Sequence, residues 1–225
     1  MSMSKKLATG VLLGMTALAG SALAADNSNS ETAIPKEGKA MKLEQNWDKT
    51  FPQSNKVNHS KVTFTNRYGI RLVADMYIPK NASGRLPAIA VCGPFGAVKE
   101  QAAGLYAQTM AERGFLTIAF DPSYTGESEG QPRYVVSPDI NTEDFSAAID
   151  FLATNDMVDP ERIGIIGICG WGGLGITAAS ADPRIKATVA STMYDMSRVN
   201  ANGYFDADDS AEARNKLRKA LAAQR

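Results

Sequence analysis

The chain has 225 residues, 44% of them hydrophobic and 21% charged, which is ample material for one globular core. Its 24 basic residues balance its 24 acidic ones, so nothing in the charge points to a nucleic-acid or acidic-polymer partner. The two cysteines and single histidine form no cluster with metal-ligand spacing, and neither a metal nor a cofactor is expected.

The first stretch has the form of a secretory leader. Lys5 and Lys6 supply the positive end, Leu7 to Ser21 is apolar and small, and Ala22-Leu23-Ala24 suits a cleavage site. The apolar run is short and rich in Gly, Ala and Thr, unlike a spanning helix of about 20 strongly apolar residues. Cleavage after Ala24 and export, to a bacterial periplasm or beyond, are expected, with no membrane attachment afterwards. Residues 25–56 are polar and aperiodic and read as a linker or surface arm. The folded part is expected over 57–225.

Val62 to Thr65 and Arg71 to Pro79 are β-like runs separated by the turn Arg67-Tyr68-Gly69. Leu86 to Val91 is continuously apolar, as suits a strand buried on both faces of a parallel sheet. A helix follows from about Glu100 to Arg113 and stops at Gly114. Phe115 to Phe120 is a strand. Phe145, Ala148, Ile149 and Leu152 recur at helical spacing. Val158 to Arg162 turns into the strand Ile163 to Ile168. A helix from about Gly172 to Ala181, a strand from Ile185 to Thr192 and an amphipathic helix from about Ser210 to Ala222 complete the pattern. Alternating strands and helices of this kind specify an α/β fold, with a mostly parallel sheet flanked by helices.

Chemistry concentrates at the ends of three of these strands, where an open α/β sheet presents ligands. The first is Cys92-Gly93-Pro94-Phe95-Gly96-Ala97. The second is Asp121-Pro122-Ser123-Tyr124-Thr125-Gly126-Glu127-Ser128-Glu129-Gly130. The third is Gly167-Ile168-Cys169-Gly170-Trp171-Gly172-Gly173, where an apolar strand meets a helix with a thiol at the corner. That corner has the form of a nucleophile elbow. A cysteine there stands at a helix N-terminus, whose free N–H groups and dipole favour a thiolate.

As an ordered set, these three motifs resemble the α/β-hydrolase superfamily, nearest its dienelactone-hydrolase-like and peptidase-like branches, over about Val57 to Asp195. The second segment is similar to the family's Asp-x-x-Gly-x-Gly-x-Ser, with Thr125 in place of one glycine. The resemblance implies Cys169 as nucleophile in cleavage of an ester, thioester or related acyl bond. It implies an oxyanion hole from the Gly170 N–H together with that of Phe95, or of Gly96, since Pro94 has no N–H. The usual second glycine of the elbow falls on Trp171, so an irregular turn is expected.

In the family, a histidine base follows the nucleophile in chain order. Here the sole histidine, His59, precedes it and reads as a surface or core-edge residue. Asp195 lies where some relatives carry an acid, but without its histidine it orients nothing. The resemblance further predicts two more strands, and the chain is expected to be a C-terminally truncated version with an exposed sheet edge suited to self-association. Impaired acyl hydrolysis is one expectation; a non-catalytic binding protein or inactive fragment is the other. Cys92 reads as a small hydrophobe capping its strand. With the family's strand order, it would lie close enough to Cys169 for a disulfide. Asp121, Glu127 and Glu129 read as loop-structuring carboxylates, and Asp208, Asp209 and Glu212 as a helix start and solvated face.

Overall fold

The computed structural model describes residues 43–223. The predicted leader, 1–24, and the first part of the predicted arm, 25–42, lie outside the described residues.

Six strands form one sheet: β1 (Val57–Thr65), β2 (Arg71–Pro79), β3 (Leu86–Cys92), β4 (Leu116–Phe120), β5 (Val158–Ile168) and β6 (Ile185–Ser191). Their order across the sheet is β1-β2-β4-β3-β5-β6. β2 runs antiparallel to both of its neighbours, while β4, β3, β5 and β6 are mutually parallel. The β1–β2 hairpin closes as its turn residues dictate. The Asn66 side-chain oxygen accepts from the N–H groups of Tyr68 and Ile70, both at 3.0 Å, an Asx-type turn.

Continuous hydrophobicity in β3 and β5 reflects burial on both faces. Ala88, Ala90, Cys92, Ile163 and Ile165 face one core, packed under the helices α2 (Pro138–Ala153) and α3 (Gly170–Ala181). Ile89, Val91, Ile166 and Ile168 face the other, under α1 (Ala102–Ala111). Burying a large aliphatic side chain in this way contributes about 1.5–3 kcal/mol.

Three local features depart from the sequence expectation. The Val158 to Arg162 turn is drawn into β5. Leu86 pairs with Val158 and Ala88 with Ile163, so Asp159 to Arg162 form an outward irregularity in the strand. A short helix, α4 (Met196–Asn202), stands between the expected last strand and the expected final helix, where no element was predicted; Asp195 caps it by accepting from Arg198 N–H at 2.9 Å. It is followed by α5 (Ala211–Ala222), capped by Ser210. In the 121–130 loop, Tyr124 (φ 74°) is the non-glycine residue with left-handed backbone, alongside Gly126 and Gly130, so it is Tyr124 rather than Thr125 that replaces a glycine.

Residues 43–56 have no regular secondary structure, as their polar composition implies, but they are anchored. Phe51 is buried, and Trp47 meets Phe51 and His59 edge-on at 5.5 and 5.3 Å. Thr50 N–H donates to Glu100 O at 3.0 Å. Among the described residues, no helix is long and apolar enough to cross a membrane.

Candidate active site

β5 delivers Cys169 to the top of the sheet, and α3 begins at the next residue. Cys169 has φ 60° and ψ −128°, backbone angles that a non-glycine residue adopts only when its surroundings enforce them. The enforcement is visible. Cys169 N–H donates to Ser191 O at 2.9 Å, tying the corner to β6, and Gly172 N–H donates to Cys169 O at 3.0 Å.

The departure of Trp171 from the glycine pattern also has a physical account. Gly167 must be glycine because a Cβ there would come within 2.3 Å of Trp171 O. Trp171 itself is turned into the core, against Phe145 and Phe95. The expected irregular turn is therefore a direct strand-to-helix elbow, with its close approach supplied by Gly167 and its second bulky position absorbed by the core.

Phe95 is brought to this corner from the β3 loop. Its ring meets Trp171 edge-on at 5.6 Å and lies against Gly170. Neither the Phe95 nor the Gly170 N–H bonds to a protein acceptor among the described residues. The structure thus assembles Cys169, Gly170 and Phe95, three residues drawn from two strand ends. Gly96, φ 78°, lies beside them on the same loop.

The remaining candidates lie elsewhere. His59 is held at 2.8 Å by Asp75 Oδ1 on the neighbouring strand, with its side chain buried beside Trp47 and the Tyr77 ring. Lys49 reaches the same Asp75 oxygen at 3.0 Å. Of the surface and core-edge positions expected for this histidine it takes the core-edge one, as a buried partner of β2. Asp195 is spent on capping α4, where its Oδ1 also accepts from Ser197 Oγ at 2.6 Å. Cys92 and Cys169 are both free, and they pack into the cores on opposite faces of the sheet. The disulfide raised from strand order is thus absent, because adjacency of two strand ends does not fix which face each thiol takes. Burial, with the Asp144 and Asp121 carboxylates nearby, pushes the Cys92 thiol well up, which makes it a poor nucleophile.

The loop carboxylates form a network that the sequence did not reveal. Lys99, with a fully buried side chain, reaches Asp121 at 2.8 Å, Glu127 at 2.6 Å and Glu100 at 2.6 Å. Asp121 also accepts from the N–H groups of Lys99 and Glu127 at 2.8 and 3.0 Å. Glu129 pairs with Arg71. Glu100, Asp121 and Glu127 lie within 4.8 Å of one another, close enough for a cation site, but the Lys99 ammonium already supplies the positive charge there. Beneath the loop, Asp144 accepts from Asn66, Asn141 and Ser123 at 2.8–3.0 Å. Burial raises its pKa despite those bonds. The network fixes the loop and, through α2, the floor under the elbow.

With this geometry described, comparison with known proteins decides the family. Residues 68–225 match the model of the X-Pro dipeptidyl-peptidase (S15) family. The chain belongs to this family, within the α/β hydrolases. It is 64% identical over 186 residues to an uncharacterized protein of Pseudomonas aeruginosa, covering 82% of this chain and 50% of that protein. A crystal structure of that Pseudomonas protein superposes with a TM-score of 0.78, covering 83% of this chain and 58% of that one. A thiohydrolase of Aspergillus aculeatus, aneE, is 35% identical over 132 residues, covering 59% of this chain and 41% of the thiohydrolase. An acetyl xylan esterase from Thermoanaerobacterium shares the fold at 17% identity, with a TM-score of 0.59 over 77% of this chain and 59% of that one. The chain spans about half the length of the curated relatives it matches.

Proposed function

We propose that this S15-family chain is an exported acyl-transferring hydrolase acting on an ester, thioester or related acyl bond, with Cys169 as its nucleophile. The single observation that carries the reading is the Cys169 backbone, at φ 60° and ψ −128° directly before α3. In that position the cysteine, partly exposed, sits at the corner between strand and helix, at the positive end of the helix. The relation to a thiohydrolase supports an acyl substrate, and the leader-like residues 1–24 support export.

In this reading, the Cys169 thiolate attacks the acyl carbon, forming a C–S bond while the carbonyl electrons move onto oxygen. Gly170 and Phe95 N–H groups receive that oxyanion; such donors are each worth about 3–4 kcal/mol of transition-state stabilisation. Collapse of the intermediate expels the alcohol or thiol, which takes up a proton, and leaves Cys169 acylated. Hydrolysis of that thioester needs water activated by a base. Among the described residues, His59 is held by Asp75 and is not placed to act as that base.

A second reading is a non-catalytic, hydrolase-like binding protein, favoured by the same burial of His59. Mass spectrometry of the chain after incubation with 4-nitrophenyl acetate separates the two. An acetyl adduct on Cys169 that is absent in Cys169→Ala supports the nucleophile. An unmodified Cys169 under conditions that acylate free cysteine would refute it. The N-terminal residue of the periplasmic protein tests export: Ala25 is expected, and retention of Met1 would overturn it.

A further inference from the structure

A cavity of about 440 Å³ opens beside the elbow, between α3, the start of α2 and the segment Met193–Asn200. That volume lies within the range of small-molecule sites. One wall is Gly170, the residue that follows the nucleophile; the rest includes Leu174, Ile176, Thr177, Met193 and Met196. The cavity exists because α3 is narrow along this side. A Cβ on Gly172 would come within 2.8 Å of Met193 Cβ, and one on Gly173 within 2.9 Å of Tyr194 O. The chain after β6 therefore closes down on the helix and forms the far wall.

Three of the polar side chains in the lining, those of Thr177, Ser197 and Asn200, are occupied by backbone or by a neighbouring side chain. Thr177 Oγ1 donates to Gly173 O at 3.2 Å, Asn200 Nδ2 to Met196 O at 2.8 Å, and Ser197 Oγ to Asp195 Oδ1 at 2.6 Å. The rest of the lining is mostly hydrocarbon and thioether with the Tyr194 phenol, and includes two methionines, whose flexible side chains adapt to varied apolar shapes. Asp195 adds a negative charge on the wall. Hydrogen bonding from Ser197 and the Arg198 N–H holds its carboxyl below the usual range, so a carboxylate-bearing ligand would be repelled.

We propose that this cavity seats the uncharged, apolar chain of the acyl group, with its carbonyl directed to Gly170. This identifies the substrate class as medium-chain aliphatic or aryl acyl esters and thioesters, in preference to acetyl groups or half-esters of dicarboxylic acids. The inference rests on the proposed acyl-transfer reading, but its binding component can be measured without chemistry.

The test has two arms. Calorimetry on Cys169→Ala with octanamide as probe measures occupation of the cavity alone. Burst acylation of the native chain by 4-nitrophenyl acetate, butyrate and octanoate measures its coupling to Cys169. Octanoate should acylate at least about tenfold faster than acetate, since each buried methylene contributes about 0.8 kcal/mol. Thr177→Trp on α3 and Asn200→Trp on α4 fill the space from opposite walls, and both replace exposed residues. Each should abolish octanamide binding and erase the chain-length preference, with near-UV circular dichroism confirming that the variant is folded. Octanamide binding or chain-length preference that survives both folded variants would overturn the site. Probe binding that both variants abolish, without acylation of Cys169 by any ester, would uphold the cavity and refute only the nucleophile.

Discussion

The ring of Phe95 lies so close to Gly170 that a Cβ on that glycine would come within 2.4 Å of two of its carbons. This contact joins the β3 loop to the first residue of α3, the two places proposed to supply the N–H groups for the oxyanion. Gly170→Ala should therefore destabilise the chain by about 1–3 kcal/mol through overpacking and suppress Cys169 acylation. Phe95→Ala in the same chain should restore most of the stability, because it removes the clashing ring, without restoring the acylation rate. Urea unfolding of the two single variants and the double variant measures the coupling. Additive losses would mean that the two residues do not constrain each other.

The two thiols should differ sharply in reactivity. Cys169 is partly exposed at the elbow, whereas Cys92 is 1% exposed and its thiol is pushed up by burial. Iodoacetamide at neutral pH should add one group per native chain, located at Cys169 by peptide mapping, and two groups in urea. Modification of Cys92 in the native chain would contradict its place in the core.

Legibility followed sequence distance. The parallel sheet and its three functional strand ends were readable because each is set by a local run of residues: apolar strand, glycine turn, helix. Cys169 and its helix are adjacent in sequence, and the elbow was read from that adjacency alone. The Phe95–Gly170 contact joins residues from different strand ends, so the sequence offered two candidate donors without their packing. Lys99 was invisible as the centre of a carboxylate cluster, because nothing local marks which lysine a folded loop will enclose. Tyr124 as the left-handed residue is legible in the motif itself, since Asp-x-x-Gly counted from Asp121 places the first glycine at position 124. Asp195 does carry a recognisable capping signal, followed by Ser197 and Arg198, which could have predicted α4.

The outer edge of β6 has no strand partner among the described residues, and Val189 on it is 53% exposed. An unpaired, apolar edge strand is a template for pairing with another chain. We expect concentration-dependent association of the chain in sedimentation velocity. Val189→Lys should weaken it, since a charge on an edge strand opposes pairing. Identical sedimentation of the two proteins would place the association elsewhere.

The lysine–carboxylate network predicts how stability responds to pH. Burial acts to raise the Asp48 carboxyl, but hydrogen bonds from Lys49 and Lys61 outweigh it and hold it at about 2, against an ordinary 3.8. Glu127 is likewise held low: burial opposes, while hydrogen bonds from Lys99 and Lys61 prevail. A carboxyl whose folded value is depressed contributes its stability above the unfolded value and loses it as pH falls through the folded one. For Asp48 that window runs from about 4 down to about 2. Glu100 works with the opposite sign, because burial leaves it raised despite Lys99. Asp48→Asn should thus cost a constant amount above pH 4, about 1 kcal/mol or less for so exposed a group, and progressively nothing towards pH 2. Lys99→Met should cost far more, about 3–5 kcal/mol at neutral pH, because it leaves the buried Asp121 carboxylate without its cation. Lys99 itself is held above its ordinary 10.5: burial opposes this, but Asp121, Glu100 and Glu127 together outweigh it. Its contribution should accordingly be intact below about 10.5 and decline only as the pH rises beyond that. Guanidinium unfolding across pH 2 to 11 measures both limbs. A Lys99→Met variant as stable as the native chain at pH 7 would show that the network is not holding the loop.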